Sequence, residues 1–284
     1  MALSIRKVGV IGLGTMGAGI AQVSVQSGFE TVGREVSAEL ADRGRAIVER
    51  YLSRAVEKGR STEAERDAAL GRLTLTTDLT DLAGCDLVIE AVLEELELKR
   101  RVFAELDRVT RPDAILATNT SALSVAEIAE ATTRPERVIG MHFFNPAPVL
   151  PLVEIVRAPK SAGDAIEAAY AWAEQAGKQP VRCKDTPGFI VNRILIPLLN
   201  DCVRVLDEAG VQPADLDKAM TSGAGWPMGP CALVDLIGVD VHVHASEALH
   251  DKLGEPSMAP PERLLRMQEE GRLGRKAGRG FYEY

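Results

Sequence analysis

The sequence predicts an α/β domain with a mostly parallel sheet, followed by an all-α domain. Three observations carry that expectation. Short β-branched runs alternate with longer helical patterns through the first part of the chain, the pattern of a parallel sheet covered by helices. A glycine-rich loop joins the first of these runs to the first helical segment. Beyond Asp185-Thr186-Pro187-Gly188, a breaker with helix-start chemistry, the strand-like runs cease. The expected division is therefore 1–186 and 187–284.

In order, residues 8–12 (VGVIG) read as a first strand, 16–27 as a helix with small residues, and 29–34 as a second strand. Residues 37–58 and 62–70 read as charged amphipathic helices. Residues 86–92 (DLVIEAV) make a further buried strand, 96–108 a helix, and 114–118 and 137–141 two more strands. After Pro146 the pattern changes. Residues 152–156 read as a strand running back along the sheet edge, 162–176 as a helix and 181–183 as a short strand. The remainder reads as helices over 189–208, 213–221, 231–253 and 261–270. The first of these is apolar on more than one face, which predicts packing both within its domain and against a second copy, a homodimer.

Composition excludes several classes of partner. With 46% hydrophobic and 26% charged residues, the chain of 284 residues has the balance of a globular protein. A formal charge of −8 argues against nucleic acid, which demands a basic face. No apolar run predicts a membrane span, and the longest, 190–199, is interrupted by Asn192, Arg193 and Pro197. The opening MALSIRKVGVIGLG has no signal-peptide pattern, and the four cysteines show no C-x-x-C pairing, so a cytoplasmic, reduced protein is expected. Asp240, His242, His244 and His250 mimic a metal cluster. On a helix the two closest rings would point apart, so no metal is expected.

The loop Gly12-Leu-Gly14-Thr-Met-Gly17 fits G-x-G-x-x-G between a strand and a helix, the context in which that pattern binds a dinucleotide. Its glycines allow a tight turn, approach of the pyrophosphate and close helix–strand packing, while the helix N-terminus offers unpaired N–H groups. The first domain is accordingly Rossmann-type. Glu35, 18 residues past Gly17, ends the second strand where an acid accepts the ribose hydroxyls and repels a 2′-phosphate, which favours NAD. Arg34 beside it leaves NADP open.

His142 stands in MHFFNPAPVLPLVEIVR (141–157), with Glu154 twelve residues further on. A histidine among phenylalanines is commonly a hydrogen-bonded core residue, and Glu154 alone would be a surface acid. Ser121 could cap the helix after the strand at 114–118, and Asn192 on an apolar helix needs a partner.

The chain resembles the short-chain L-3-hydroxyacyl-CoA dehydrogenase family over essentially its whole length. The resemblance rests on GLGTMGAGIAQ (12–22), DLVIEAVLEELELK (86–99), ATNTSALS (117–124), MHFFNPAPVLPLVEIV (141–156), DTPGFIVNRI (185–194), WPMGPCALVDLIGVD (226–240) and GRKAGRGFY (274–282). It implies catalytic roles for Ser121, His142, Glu154 and Asn192. A neutral imidazole suits removal of a hydroxyl proton as hydride leaves carbon. A carboxylate on its other nitrogen fixes the tautomer, and Ser121 and Asn192 hydrogen-bond the substrate oxygen. The resemblance further implies cofactor contacts at Glu94, Lys99, Ser121, Asn145 and Lys276, although Lys99 and Lys276 could equally be solvated. Lys58 is a candidate partner for the phosphates of an acyl-CoA.

Three rival readings share parts of this pattern. They are a dehydrogenase of free 3-hydroxyacids, the same chemistry on an acyl group held by a carrier protein, and a non-enzymatic dinucleotide-binding relative. HFFNP with a glutamate twelve residues on disfavours the first, and the full four-residue set disfavours the last. Two departures from the family pattern stand out: Glu35 replaces the more frequent Asp, and Trp226 replaces Tyr or His, which would narrow the acyl pocket.

Overall fold

A computed structural model describes residues 4–284; Met1–Leu3, which open the segment read as free of a signal peptide, lie outside the described residues. The chain divides after Thr186 into two units.

The first unit alternates strand and helix. It runs β1 (Lys7–Ile11), α1 (Thr15–Gln26), β2 (Glu30–Arg34), α2 (Ala38–Glu57), α3 (Glu63–Leu70), β3 (Leu73–Thr76), β4 (Leu87–Glu90), α4 (Leu96–Val109) and β5 (Ile115–Thr118). Then follow α5 (Val125–Ala129), β6 (Val138–Phe143), β7 (Leu152–Arg157), α6 (Gly163–Gln175) and β8 (Gln179–Lys184). The eight strands form one sheet in the order β3-β2-β1-β4-β5-β6-β7-β8. The first six run parallel, and β7 and β8 run against them. Chain order reverses at β1, so the crevice beyond the carboxyl ends of β1 and β4 is the switch point where such sheets take ligands.

Burial explains the sequence of these strands. β4, β5 and β6 are buried throughout, as strands covered on both faces must be, and they read as near-continuous apolar runs. Val8 and Val10 of β1, Ile89 of β4, Ile139 and Met141 of β6 and Ile155 of β7 join α1 and α6 in one core around Trp172. On the surface, α2 starts at Ser37, whose Oγ accepts from Leu40 N, and α3 starts with a reciprocal capping box between Thr62 and Glu65.

Three expectations change here. The strand 73–76 is additional to the sequence reading. β7 does turn back antiparallel to β6, but it is not the edge, because β8 pairs on its far side. Ser121 does not cap α5; Ser124 is its N-cap, and Asp185 accepts from Ser124 Oγ, Val125 N and Ala126 N.

The second unit contains α7 (Val191–Glu208), α8 (Pro213–Gly223), α9 (Pro230–Ile237), α10 (Val239–Leu253) and α11 (Glu262–Glu269). The single helix expected over 231–253 is two, broken at Gly238, whose φ of 102° ends one helix and starts the next. Leu199, Val203, Val234, Val239, Val243, Leu264 and Met267 form its main core. Within it Asn200 Oδ1 lies 2.8 Å from His242 Nε2, and Asn200 Nδ2 donates to the carbonyls of Ser257, Met258 and Ala259. His242 is fully buried and His244 exposed, so the two rings do point apart. The C-terminal segment is not helical throughout, since Arg279 bridges to Gly274 and to Glu283. It is tied down by buried Asp235, which accepts from Phe281 N, Tyr282 N and Tyr284 Oη.

Candidate active site

The parts of the site in the first unit hang on the carboxyl ends of parallel strands, with Glu154 supplied by the antiparallel β7. β1 delivers the glycine loop. Gly12 has a φ of 82°, and a Cβ on Gly17 would lie 1.7 Å from the Gly12 carbonyl oxygen, so neither position admits a side chain. Gly14 is exposed, with open space where a Cβ would stand, and it starts α1 without any side-chain cap. Uncapped N–H groups, no acid in the first turn and a cradle free of side chains suit a pyrophosphate. At the end of β2, Glu35 Oε1 accepts from Leu13 N at 2.6 Å and Oε2 accepts from Val36 N at 3.0 Å. The acid thus stands directly against the glycine loop. The Arg34 guanidinium acts instead on Asp78, whose carboxyl is lowered first by hydrogen bonds from Thr80 and to a smaller extent by Arg34.

β4 and β5 deliver a polar network. Glu90, the last residue of β4, is fully buried. Its Oε1 accepts from Val92 N and from Lys99 Nζ, both at 2.7 Å, and its Oε2 accepts from Thr118 Oγ1 at 2.8 Å. Lys99 also reaches Glu94 Oε2 at 3.4 Å. Glu94 in turn accepts from Thr120 Oγ1 (2.6 Å), Ser121 N (2.7 Å), Ser121 Oγ (3.2 Å) and Ala122 N (3.2 Å). Burial acts to raise the Glu94 carboxyl, but Lys99 and these donors outweigh it and hold it below the usual carboxylate range. Glu94, Lys99 and Ser121 are therefore one assembly. Lys99 is not a solvated lysine: its side chain has no exposed surface.

β6 delivers His142. Facing residues of an antiparallel pair project to the same side, and the β6–β7 register sets His142 opposite Glu154. The Nδ1–Oε2 distance is 2.7 Å, with both side chains buried. Glu154 is thus no surface acid. With the carboxylate accepting from Nδ1–H, the neutral ring carries its lone pair on Nε2. Phe144 packs on the imidazole with ring centroids 4.4 Å apart. Phe143 faces the other way and meets Trp172 edge-on, so only one of the two phenylalanines seats the histidine. Phe143 N donates to Asn119 Oδ1 at 2.9 Å, which ties the histidine strand to the loop before Ser121. Asn145 follows on the exposed turn, and buried Lys178 donates to the carbonyls of Ala147 and Leu150, pinning the β6–β7 connection.

The remaining residues lie elsewhere. Asn192 is in the first turn of α7, in the second unit. Lys276, also there, is paired with Asp240 at 2.6 Å. Lys58 is the exposed C-cap of α2. Sequence reasoning did not single out Glu90, Thr118, Thr120 or Asn119. A carboxylate closing an otherwise apolar strand, as in LVIE, was the available signal.

A glycine cradle at the switch point, with an imidazole–carboxylate pair on the same sheet end, defines a dinucleotide-dependent dehydrogenase. Comparison with known proteins narrows the class. Residues 7–186 match the family model "3-hydroxyacyl-CoA dehydrogenase, NAD binding domain", and residues 188–284 match "3-hydroxyacyl-CoA dehydrogenase, C-terminal domain". The 3-hydroxybutyryl-CoA dehydrogenase of Mycobacterium tuberculosis is 48% identical over 290 residues, covering 100% of both chains. Among solved structures, M. tuberculosis FadB2 superposes with a TM-score of 0.96 at 47% identity, covering 99% of each chain. The (S)-3-hydroxybutyryl-CoA dehydrogenase PaaH1 of Ralstonia eutropha gives 0.95 at 40% identity, again covering 99% of each. The chain belongs to the 3-hydroxyacyl-CoA dehydrogenase family. It is an oxidoreductase with an NAD-binding domain, and its reaction is the NAD-dependent oxidation of a 3-hydroxyacyl-CoA.

Proposed function

We propose that this chain interconverts L-3-hydroxybutyryl-CoA and acetoacetyl-CoA, with His142 as the acid–base group. The observation that carries the reading is the buried His142–Glu154 pair, set by strand register at the sheet end that also bears the glycine loop. Bound NAD supplies the hydride acceptor. Gly12, Gly14, Gly17 and Glu35 would hold its adenosine and pyrophosphate part, with Glu94, Lys99, Ser121, Asn145 and Lys276 as further contacts or supports. His142 Nε2 takes the hydroxyl proton during oxidation and returns it to the developing alkoxide during reduction. Glu154 keeps the ring in the tautomer that can do so and offsets the charge of the imidazolium. The Asn192 amide donates to the substrate oxygen as its charge changes, and Ser121 Oγ does so by turning its one proton from Glu94 to that oxygen when substrate binds.

The short-chain preference draws on the names of the relatives and on Trp226 as a bulky wall of the acyl site. Lys58 is a candidate contact for the phosphates of CoA. We place the protein in the cytoplasm; no helix of the described residues is long and apolar enough to cross a membrane. The second unit is the dimerisation domain in this reading, because Ile194, Leu198 and Val205 leave an exposed apolar stripe along α7.

The deciding experiment follows NADH and NADPH consumption with acetoacetyl-CoA and with 3-ketoacyl-CoAs of increasing length. Preferred turnover of acetoacetyl-CoA with NADH is expected. No consumption with any of these thioesters would refute the assignment. Turnover rising steadily with chain length would refute the short-chain preference.

A further inference from the structure

The dehydrogenase reading gives roles to Glu94 and Ser121 but none to Glu90, although Glu90 is a fully buried charge at that end of the sheet. Its carboxylate accepts from Val92 N, from the Lys99 ammonium and from Thr118 Oγ1. Glu94 likewise meets only donors. Lys99 lies between them, 2.7 Å from Glu90 and 3.4 Å from Glu94. Two carboxylates against one ammonium leave one uncompensated negative charge. A buried ion pair is already weak as a stabilising device, and a cluster with an unpaired charge is weaker still. Packing alone therefore gives no account of the second carboxylate.

We propose that the Glu90–Lys99–Glu94 cluster is a fixed negative charge that favours the oxidised over the reduced nicotinamide on this protein. The inference rests on the proposed acid–base role of His142. Hydride and proton leave neighbouring atoms of the substrate, so the hydride acceptor must lie at the sheet end where the imidazole stands. That end is formed by β4, β5 and β6, whose carboxyl termini carry Glu90 and Glu94, Ser121, and His142 respectively. The oxidised ring carries a positive charge and the reduced ring none. Every other group of the dinucleotide is common to both forms, so a buried charge near the ring discriminates between them, and it does so strongly where water is excluded. Glu154 is the other buried carboxylate of this end, but its charge is engaged with the imidazole. Glu90 acts through charge and through its hold on Lys99, and is a positioning residue; Glu94 carries the charge outward to the Ser121 loop.

The test is the ratio of the dissociation constants of NAD+ and NADH. NADH binding is read from its own fluorescence, and NAD+ binding from displacement of NADH. Glu90→Gln and Glu94→Gln each remove one negative charge while nearly conserving shape. Each is expected to raise Kd(NAD+)/Kd(NADH) about tenfold, equal to a fall of about 30 mV in the bound two-electron couple's preference for the oxidised form. A variant that is merely loosened weakens both forms alike and leaves the ratio where it was. An unchanged ratio in folded variants, checked by circular dichroism, overturns the proposal. Should Glu90→Gln fail to fold, the half-buried Glu94→Gln decides alone. If the unaltered protein binds both forms but Glu90 and Glu94 variants do not separate them, the charge inference fails while the dehydrogenase reading stands. If it binds neither form, that reading fails first and takes this one with it.

Discussion

Replacing Glu154 by Gln tests the proposed proton chemistry most directly. The substitution keeps the volume and leaves an amide oxygen able to accept from His142 Nδ1–H, so β6 and β7 retain their pairing. It removes the charge that faces the imidazolium once His142 has taken the proton. With Nδ1 and Oε2 2.7 Å apart, the centres of charge are about 4 Å apart, and at an effective dielectric of about 20 that interaction amounts to about 4 kcal/mol. Lost only in the charged state, it corresponds to a fall of about 10³-fold in turnover. The amide can also present its NH2 to Nδ1 and select the wrong tautomer, which adds to the loss. The assay is steady-state oxidation of NADH with acetoacetyl-CoA, together with NADH binding measured separately. Normal NADH binding with kcat reduced about 10³-fold is the expected result. A kcat within fivefold of the unaltered protein would refute the argument, because the buried carboxylate would then have no part in stabilising the imidazolium.

Other consequences can be checked alongside. His142→Ala is expected to lose nearly all turnover while NADH still binds, and retained turnover would remove the imidazole from the mechanism. Gly17→Ala places a methyl group against the Gly12 carbonyl and is expected to abolish dinucleotide binding, read by NADH fluorescence titration. Burial holds the His242 imidazole down to about 4, against 6.5 when unfolded. The unfolded chain therefore binds the extra proton first, and stability present above pH 6.5 is lost as pH falls toward 4. The full span amounts to about 3 kcal/mol, seen as a falling urea midpoint between pH 7 and 4 that a His242→Gln variant should largely lack. Asp235→Asn leaves the amides of Phe281 and Tyr282 with a poorer acceptor and is expected to lower stability by about 1–3 kcal/mol, with the C-terminal segment becoming protease-sensitive.

How far the sequence could be read varied with the kind of signal. The glycine loop was legible because its steric demands leave no alternative residue, and the parallel strands because burial on both faces makes them uniformly apolar. The edge strand β3, with Leu and Thr alternating over four residues, is too short and too polar to separate from a turn by periodicity. The break in the 231–253 helix was hidden because Gly238 sits in an otherwise continuous apolar pattern, and a lone glycine is tolerated in a helix. His142 and Glu154 stood out through spacing together with family resemblance, but nothing in the sequence distinguished Lys99 as a buried ammonium from a solvated one. That difference comes from Glu90, nine positions earlier on another element, and long-range partners of this kind leave no local trace. Asn119 went unnoticed for the same reason, since its partner is a backbone amide 24 residues away.

The step from β6 to β7 has a further implication. His142 and Glu154 meet because two strands are laced together by their backbones, not because the chain between them imposes the distance. The ladder encodes their meeting by parity: a slip of one position would turn Glu154 to the opposite face of the sheet. The intervening Pro-rich turn only closes the hairpin, and Lys178 anchors it from outside. A circular permutant opened in that turn should keep its imidazole–carboxylate pair, since the two halves would still be zipped together by the same ladder.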